Sequence, residues 1–197
     1  MRPGMNDAPN LSRTLNSIGL LLICGVLIAA FAAQFMLGEL PCPLCLLQRV
    51  GLVAVGFGLC LNLIYGAKPH HYGIILIGAL YGGAVSVRQI LLHIVPGTGH
   101  YGSPFLGLHY YTWAGICFFL ILAGTAVMLL FETQYEGLKE GAEKEKFGKS
   151  KFAIFAFFIM LFLAIGNAVS TLIECGPTVC ADPPTDYKLI EELKGRN

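Results

Sequence analysis

Five long apolar runs constrain what this chain can fold into more than any other feature. They cover residues 18–36, 50–65, 72–95, 111–131 and 152–173. A helix needs about 20 apolar residues to cross the hydrocarbon core of a bilayer, so each run is a candidate span. The second is the shortest, and we expect Arg49 to snorkel at one of its ends. The chain is 55% hydrophobic and only 13% charged, which is unusual for a water-soluble protein. The sequence predicts an all-α polytopic membrane protein with five transmembrane helices.

The chain is predicted to form one membrane domain over residues 1–197, ending in a tail from residue 174. The first run is longer than the apolar core of a secretory signal peptide, so we expect it to remain as a span. Within the tail, Tyr187, Ile190 and Leu193 recur at three-residue spacing. This spacing predicts a short amphipathic helix on the membrane or on the bundle.

The distribution of positive charge predicts the orientation. Eight of the 13 Lys and Arg residues lie before span one, between spans two and three, or between spans four and five. Because Lys and Arg are enriched in cytoplasmic loops, we expect a cytoplasmic N-terminus and, after five crossings, a C-terminus on the other side. In the inner membrane of a bacterium that side is the periplasm, where disulfides form and persist.

The cysteines divide into two groups. Three lie inside apolar runs, where a thiol behaves as a small hydrophobe: Cys24, Cys60 and Cys117. The other four form two pairs at span ends, Cys42 with Cys45 and Cys175 with Cys180. The predicted topology places both pairs on the non-cytoplasmic face.

The first pair has the Cys-x-x-Cys spacing of redox-active thiols. Pro41 and Pro43 stiffen the segment because each fixes its own backbone angle and restricts the preceding residue. Cys45 lies near the start of the second helix, where the helix dipole favours the reactive thiolate form. We expect Cys42 to be the more exposed of the two sulfurs.

The second pair, Cys175 and Cys180, encloses a Gly-Pro turn that lets the two sulfurs close a ring. Alone, such a pair could be a constitutive structural staple. A reactive pair on the same face favours thiol–disulfide exchange between the pairs. Zinc binding would require all four thiols to converge, which an oxidising face disfavours.

Several polar residues near the outer ends of the spans are candidates for contact with a polar headgroup: Gln48, Arg49, Arg88, Gln89 and His93. Arg88 lies inside the third span, where an arginine faces the bundle interior or snorkels to the surface. His70 and His71, between spans two and three, are expected to be solvated turn residues. No metal site is expected.

The chain resembles the DsbB-type membrane thiol:quinone oxidoreductases. The resemblance rests on the run from Cys42 to Arg49, on Gln89 with His93, and on the segment from Phe105 to Trp113. It implies a four-helix transmembrane bundle, here with a fifth transmembrane helix added. The bundle would bind ubiquinone or menaquinone beside the first pair and re-oxidise a periplasmic thioredoxin-fold oxidase similar to DsbA. Carried over by position, Cys45 would contact the quinone, Arg49 would polarise it, and Cys42 would exchange with the second pair.

The second pair departs from the family pattern. Familiar members carry it between spans three and four, whereas here the 96–110 loop has no cysteine and Cys175 and Cys180 are the substitute. Which of those two meets the partner protein stays open. Two alternatives also stay open: an enzyme similar to vitamin K epoxide reductase, whose Cys-x-x-Cys usually comes later in the bundle, and a non-enzymatic membrane subunit with structural disulfides.

Overall fold

The computed structural model describes residues 7–135 and 151–194, with side chains from residue 11 onward. The helices are α1 (Asp7–Met36), α2 (Pro43–Tyr65), α3 (Pro69–His93), α4 (Tyr110–Leu129), α5 (Lys151–Cys175) and α6 (Lys188–Lys194). The described residues contain no β-strand beyond one isolated bridge between Phe105 and Leu108. The predicted all-α fold is confirmed.

The five long helices are each long and apolar enough to cross a membrane, and each overlaps one predicted span. Two helices begin well before the predicted spans: α1 at Asp7 rather than at residue 18, and α2 at Pro43 rather than at residue 50. Proline fits the first position of a helix because its missing N–H would have no intrahelical partner there. The second span is therefore not short, and Arg49 lies buried within it rather than snorkelling at its end.

Helix α2 is the centre of the bundle. It packs against α1, α3 and α5, while α4 packs on α3. Glycines allow α2 and α3 to approach closely: a Cβ added to Gly51 would lie 2.8 Å from the Cα of Gly82. Small residues serve this purpose in transmembrane helix pairs generally, because packing rather than the hydrophobic effect holds the helices together in lipid.

Both cysteine pairs lie at the same end of the bundle. The α1–α2 link carries the first pair, and the end of α5 carries the second. Near the end of α1, Gln34 donates a hydrogen bond to Ser170 near the end of α5, at 2.9 Å. We call this end of the molecule the disulfide end.

A buried polar cluster closes the opposite end, formed by Ser12, Asn16, Asn62, His71, Tyr72 and Gln134. Gln134 accepts hydrogen bonds from Ser12 and Tyr72, both at 2.9 Å, and so ties the end of α4 to α1 and α3. The expectation that His71 is solvated is wrong: it lies 3.0 Å from Asn62 within this cluster.

The charged segment 132–151, with five Glu and five Lys, is expected to be a solvated and partly helical cytoplasmic link. Its first four residues form one 3₁₀ turn, and residues 136–150 lie outside the described residues.

Candidate functional site

The first cysteine pair is a disulfide at the start of α2. The Cα atoms of Cys42 and Cys45 are 5.0 Å apart. Cys42 is the N-cap residue of the helix, and its sulfur accepts a hydrogen bond from the backbone N–H of Cys45 at 3.1 Å. The first turn of α2 therefore directs a backbone donor at the Cys42 sulfur.

Two glutamines hold this disulfide from α2 and α3. Gln89 is fully buried, and its amide nitrogen lies 3.1 Å from the Cys42 sulfur and 3.5 Å from that of Cys45. Gln48 donates to the amide oxygen of Gln89 at 2.8 Å, which orients the Gln89 nitrogen toward the sulfurs. We call Gln48 and Gln89 the glutamine clamp. Both are candidate cofactor-binding residues by sequence, and the structure places Gln89 directly on the sulfurs and Gln48 behind it.

The expectation that Cys42 is the more exposed sulfur is wrong. Cys42 is only 2% exposed, whereas Cys45 is half-buried. The reason is that Cys42 caps the helix and lies under Gln89, while Cys45 lies within the first turn.

Arg49 lies one turn after Cys45 and faces α1 and α5. Its guanidinium donates to the side-chain oxygen of Gln34 at 2.7 Å and to the backbone oxygen of Ala30 at 3.0 Å. It also lies 5.2 Å from the centre of the Phe31 ring, within the range of a cation–π contact. The buried carboxylate of Glu174, at the end of α5, interacts electrostatically with it.

The second pair is a disulfide that joins the end of α5 to the tail, with Cα atoms 4.4 Å apart. Cys175 is the last residue of α5, and Gly176 follows with a φ of 63°, a conformation that glycine adopts without strain. Cys175 is 3% exposed and Cys180 is half-buried. The two sulfurs of this pair therefore differ in their access to other molecules.

The α3–α4 loop, residues 94–109, bridges the segments that carry the two pairs. In the α1–α2 link, Glu39 accepts from the backbone N–H of Ser103 at 3.0 Å and from its hydroxyl. On the tail side, the Tyr101 hydroxyl donates to the carboxylate of Asp182. That hydrogen bond, together with burial, raises the pKa of Tyr101 to about 12.

His93 lies one turn beyond Gln89 and borders a cavity of about 500 Å³. Its ring centre is 5.4 Å from that of Tyr101 and 5.6 Å from that of Tyr111. Its Nδ1 atom is buried and has no hydrogen-bond partner among the described residues. Arg88, by contrast, is exposed on α3.

Sequence reasoning missed four residues that connect the two pairs: Gln34, Ser170, Glu174 and Tyr187. Gln34 donates to Ser170 and, at 3.3 Å, to the Tyr187 hydroxyl while accepting from Arg49. The available signal was the occurrence of polar side chains within apolar runs, which in a membrane face the protein interior or a cavity.

Comparison with known proteins matches one part of the chain. The model of the family described as "Disulfide bond formation protein DsbB" matches residues 12–101. A Disulfide bond formation protein B of Chromobacterium violaceum is 41% identical over 90 residues, covering 41% of this chain and 54% of that protein. One of Marinobacter nauticus is 36% identical over 89 residues, covering 43% and 53%. No solved structure matches the chain significantly.

The chain spans about half the length of these curated relatives. The matched segment contains the first cysteine pair, the glutamine clamp, Arg49 and His93, whereas Cys175 and Cys180 lie outside it. Over residues 12–101, this chain is therefore similar to the DsbB family of disulfide bond formation proteins.

Proposed function

We propose that this protein re-oxidises a DsbA-like thioredoxin-fold oxidase and passes the electrons to ubiquinone or menaquinone in the membrane. The observation that carries the proposal is the placement of two disulfides at one end of a transmembrane bundle, the first of them within the DsbB-matched segment. Electrons would pass from the partner dithiol to Cys175–Cys180, then to Cys42–Cys45, and then to the quinone.

The chemistry explains why such a reaction belongs in a membrane. Each protein step is attack by a thiolate on a disulfide sulfur. A DsbA-like oxidase has a reduction potential of about −120 mV, so disulfides of the glutathione pool are too weak to re-oxidise it. A lipid-soluble quinone is a stronger oxidant and reaches only a membrane-embedded site.

The residues around the cavity fit a quinone headgroup. His93 and Tyr111 present aromatic rings to it, and the partnerless Nδ1 of His93 is a candidate hydrogen-bond donor to a quinone oxygen. Bound there, a quinone would supply the two-electron acceptor. The family resemblance implies that Arg49 stabilises negative charge on the quinone oxygen, whereas in this structure Arg49 faces α1 and α5 and does not line this cavity. Its guanidinium carries five N–H groups, of which two make the hydrogen bonds to Gln34 and Ala30.

Within the first pair, we propose that Cys45 faces the quinone and that Cys42 exchanges with the second pair. The greater exposure of Cys45 supports the first assignment. The glutamine clamp would hold the disulfide and then stabilise the thiolate left when it opens, because amide N–H groups bind a charged acceptor more strongly than a neutral one. Arg88, being exposed, would act as a membrane-interface anchor rather than as a quinone ligand.

We place the protein in the bacterial inner membrane with the disulfide end in the periplasm. The excess of Lys and Arg around the opposite end supports this orientation. An oxidising compartment would also preserve both disulfides.

Steady-state quinone reduction tests the proposed function. The purified protein is mixed with a reduced DsbA-type oxidase and a short-chain ubiquinone or menaquinone, and quinone absorbance is followed. We expect turnover in the wild-type protein, none in Cys45→Ser, and near wild-type turnover in the matched control Cys117→Ser, which alters a cysteine in α4. Full turnover in Cys45→Ser would remove the central role given to the first pair.

One observation favours a purely structural role for the disulfides, namely the burial of Cys42 and Cys175. Thiol titration separates the two functions. If both disulfides are reduced by a reduced DsbA-type oxidase and re-form with quinone, the result supports the enzyme. If both are inert, the result supports a membrane subunit in which the disulfides are purely structural.

A further inference from the structure

We propose that the two sulfurs of the second disulfide have different roles. The partner's thiolate attacks Cys180, and Cys175 passes the electrons onward to the first pair. This inference rests on the proposed function and assigns the two sulfurs that the sequence leaves equivalent.

Exposure distinguishes the two sulfurs. Cys175 is 3% exposed, whereas Cys180 is half-buried and follows Val179, which is 87% exposed. Thiol–disulfide exchange depends on which sulfur the attacking thiolate can reach. A folded partner protein can reach the Cys180 side of this disulfide far more easily than the Cys175 side.

The backbone around the two residues differs as well. Cys175 ends α5, which packs on α1 and α2, and its position is set by the helix. Cys180 lies in the irregular segment between α5 and α6, where Lys188 donates to the backbone oxygen of Val179 at 2.9 Å. Cys175 is thus fixed to the helix bundle, whereas Cys180 lies in the tail beyond the end of α5.

The charges near Cys175 favour onward transfer. A thiolate there lies at the C-terminus of α5, where the helix dipole is unfavourable to negative charge. The adjacent buried Glu174 also disfavours the thiolate, and its Oε2 atom has no hydrogen-bond partner among the described residues. Arg49 is the cation that interacts with Glu174 and offsets part of this effect. A Cys175 thiolate is therefore poorly stabilised, and its attack on the other disulfide at this end, Cys42–Cys45, is energetically favourable. The same destabilisation makes Cys175 the slower leaving group when the partner attacks Cys180, so the assignment rests on access to the sulfurs.

The steps balance as two-electron exchanges. The partner's thiolate bonds to the Cys180 sulfur, the Cys175–Cys180 bond breaks, and Cys175 leaves with the electron pair. The partner's second thiolate then displaces Cys180, which leaves the partner oxidised and the pair reduced. Cys175 next attacks the Cys42 sulfur, and the Cys42–Cys45 bond breaks. Cys180 then attacks Cys175, which re-forms the 175–180 bond and releases Cys42. The two protons of the partner dithiol end on the thiols of the first pair.

Mixed-disulfide formation tests the assignment. Cys175→Ser and Cys180→Ser are made in the full chain with the first pair replaced (Cys42→Ser, Cys45→Ser), so each protein keeps one thiol of the second pair. The probe is a single-cysteine DsbA-type oxidase activated with 5-thio-2-nitrobenzoate. The free thiol of each variant displaces 5-thio-2-nitrobenzoate from the probe and forms the same mixed disulfide as in the proposed reaction. The released 5-thio-2-nitrobenzoate is yellow, and its absorbance gives the rate.

We expect the protein that keeps Cys180 to react about tenfold faster than the one that keeps Cys175, because access controls the rate. Matching elution in size-exclusion chromatography and matching thermal unfolding verify that both variants fold. Equal rates, faster reaction at Cys175, or no reaction at either sulfur overturn the assignment.

Quinone reduction by the wild-type protein, measured alongside mixed-disulfide formation, separates the roles proposed for Cys175 and Cys180 from the proposed function. Turnover combined with equal rates overturns the asymmetry and leaves the proposed function standing. Absence of turnover combined with selective reaction at Cys180 supports the asymmetry and overturns the proposed function.

Discussion

The side chain on which the first disulfide depends most directly is Gln89. It is fully buried, contacts both sulfurs through one amide nitrogen and is oriented by Gln48. A buried amide with this arrangement stabilises charge on sulfur only when its donor points toward the pair, and that orientation is what Gln48 provides.

Replacing Gln89 should therefore slow the thiol chemistry of the reduced first pair. Gln89→Leu removes a hydrogen bond to a thiolate, worth about 1.5 kcal/mol, so alkylation of the reduced pair at neutral pH should slow by about tenfold. Gln48→Leu, which removes only the orienting bond, is the matched variant and should have a smaller effect. The measurement is the rate of iodoacetamide labelling. An unchanged rate in Gln89→Leu would show that the glutamine clamp does not stabilise the thiolate.

Arg49 should matter for stability as well as for turnover. Arg49→Met leaves the Gln34 oxygen and the Glu174 carboxylate buried without their cation, at a cost of about 2 kcal/mol, and should also raise the quinone KM or lower kcat. Arg88→Met, on the exposed face of α3, is the control and should leave thermal unfolding in detergent nearly unchanged. Equal stability of the two variants would contradict the buried network described here.

Sequence reasoning could predict candidate reactive residues but not their surroundings. The Cys-x-x-Cys spacing and the polar residues near it predict where the site lies along the chain. Whether Cys42 or Cys45 is covered depends on Gln89, which lies 44 residues beyond Cys45 and reaches the sulfurs through helix packing. Glu174 was overlooked for a similar reason, since only the packing of α5 brings it to Arg49.

Among the larger elements, the α3–α4 loop connects the two disulfide-bearing segments. It bonds to Glu39 through Ser103 and to Asp182 through Tyr101. In this chain the loop has no cysteine, and besides joining the two segments it supplies most of the lining of the cavity beside His93.

Removing the Tyr101 hydroxyl should loosen the tail. We expect Tyr101→Phe to increase hydrogen–deuterium exchange in residues 176–187, whereas Tyr110→Phe, an exposed tyrosine nearby, should not. The pKa of Tyr101 is raised from 10.0 to about 12. The hydrogen bond from Tyr101 to Asp182 therefore stabilises the folded tail fully below pH 10, and this stabilisation is lost as the pH rises toward 12. Exchange in the tail that is unaffected by Tyr101→Phe would show that other contacts hold it.

Close packing of α2 on α3 gives a second test among the helices. A Cβ on Gly51 would meet the backbone of Gly82, which cannot move aside cheaply, so Gly51→Ala should destabilise the protein by about 2 kcal/mol. Gly124→Ala in α4 meets nothing within 4 Å and should be neutral or stabilising, since alanine is the better helix former. Thermal unfolding in detergent measures both, and a neutral Gly51→Ala would contradict the packing.

Hydropathy predicts that these helices exist, because spanning segments must be long and apolar. It could not place the start of α2, since Pro41 and Pro43 indicate a turn as readily as a helix N-terminus. The cap that Cys42 provides decides between them.

Taken as a whole, the molecule has two chemically distinct ends. The opposite end is closed by neutral side chains that satisfy one another in the buried polar cluster. The disulfide end carries both cysteine pairs, the cavity beside His93 and a network of buried polar groups from Arg49 to Tyr187. This separation is consistent with the proposed electron path from a soluble partner to a membrane oxidant.

The redox state of the second pair during a single turnover tests the electron path most directly. Wild-type protein and Cys45→Ser are first reduced by a DsbA-type oxidase in its dithiol form and then mixed with quinone. The reaction is quenched in acid, free thiols are labelled with a large maleimide, and the labelled thiols at Cys175 and Cys180 are counted. We predict that quinone re-forms the 175–180 disulfide in the wild-type protein but not in Cys45→Ser. Re-formation of that disulfide by quinone in Cys45→Ser would contradict a relay through the first pair.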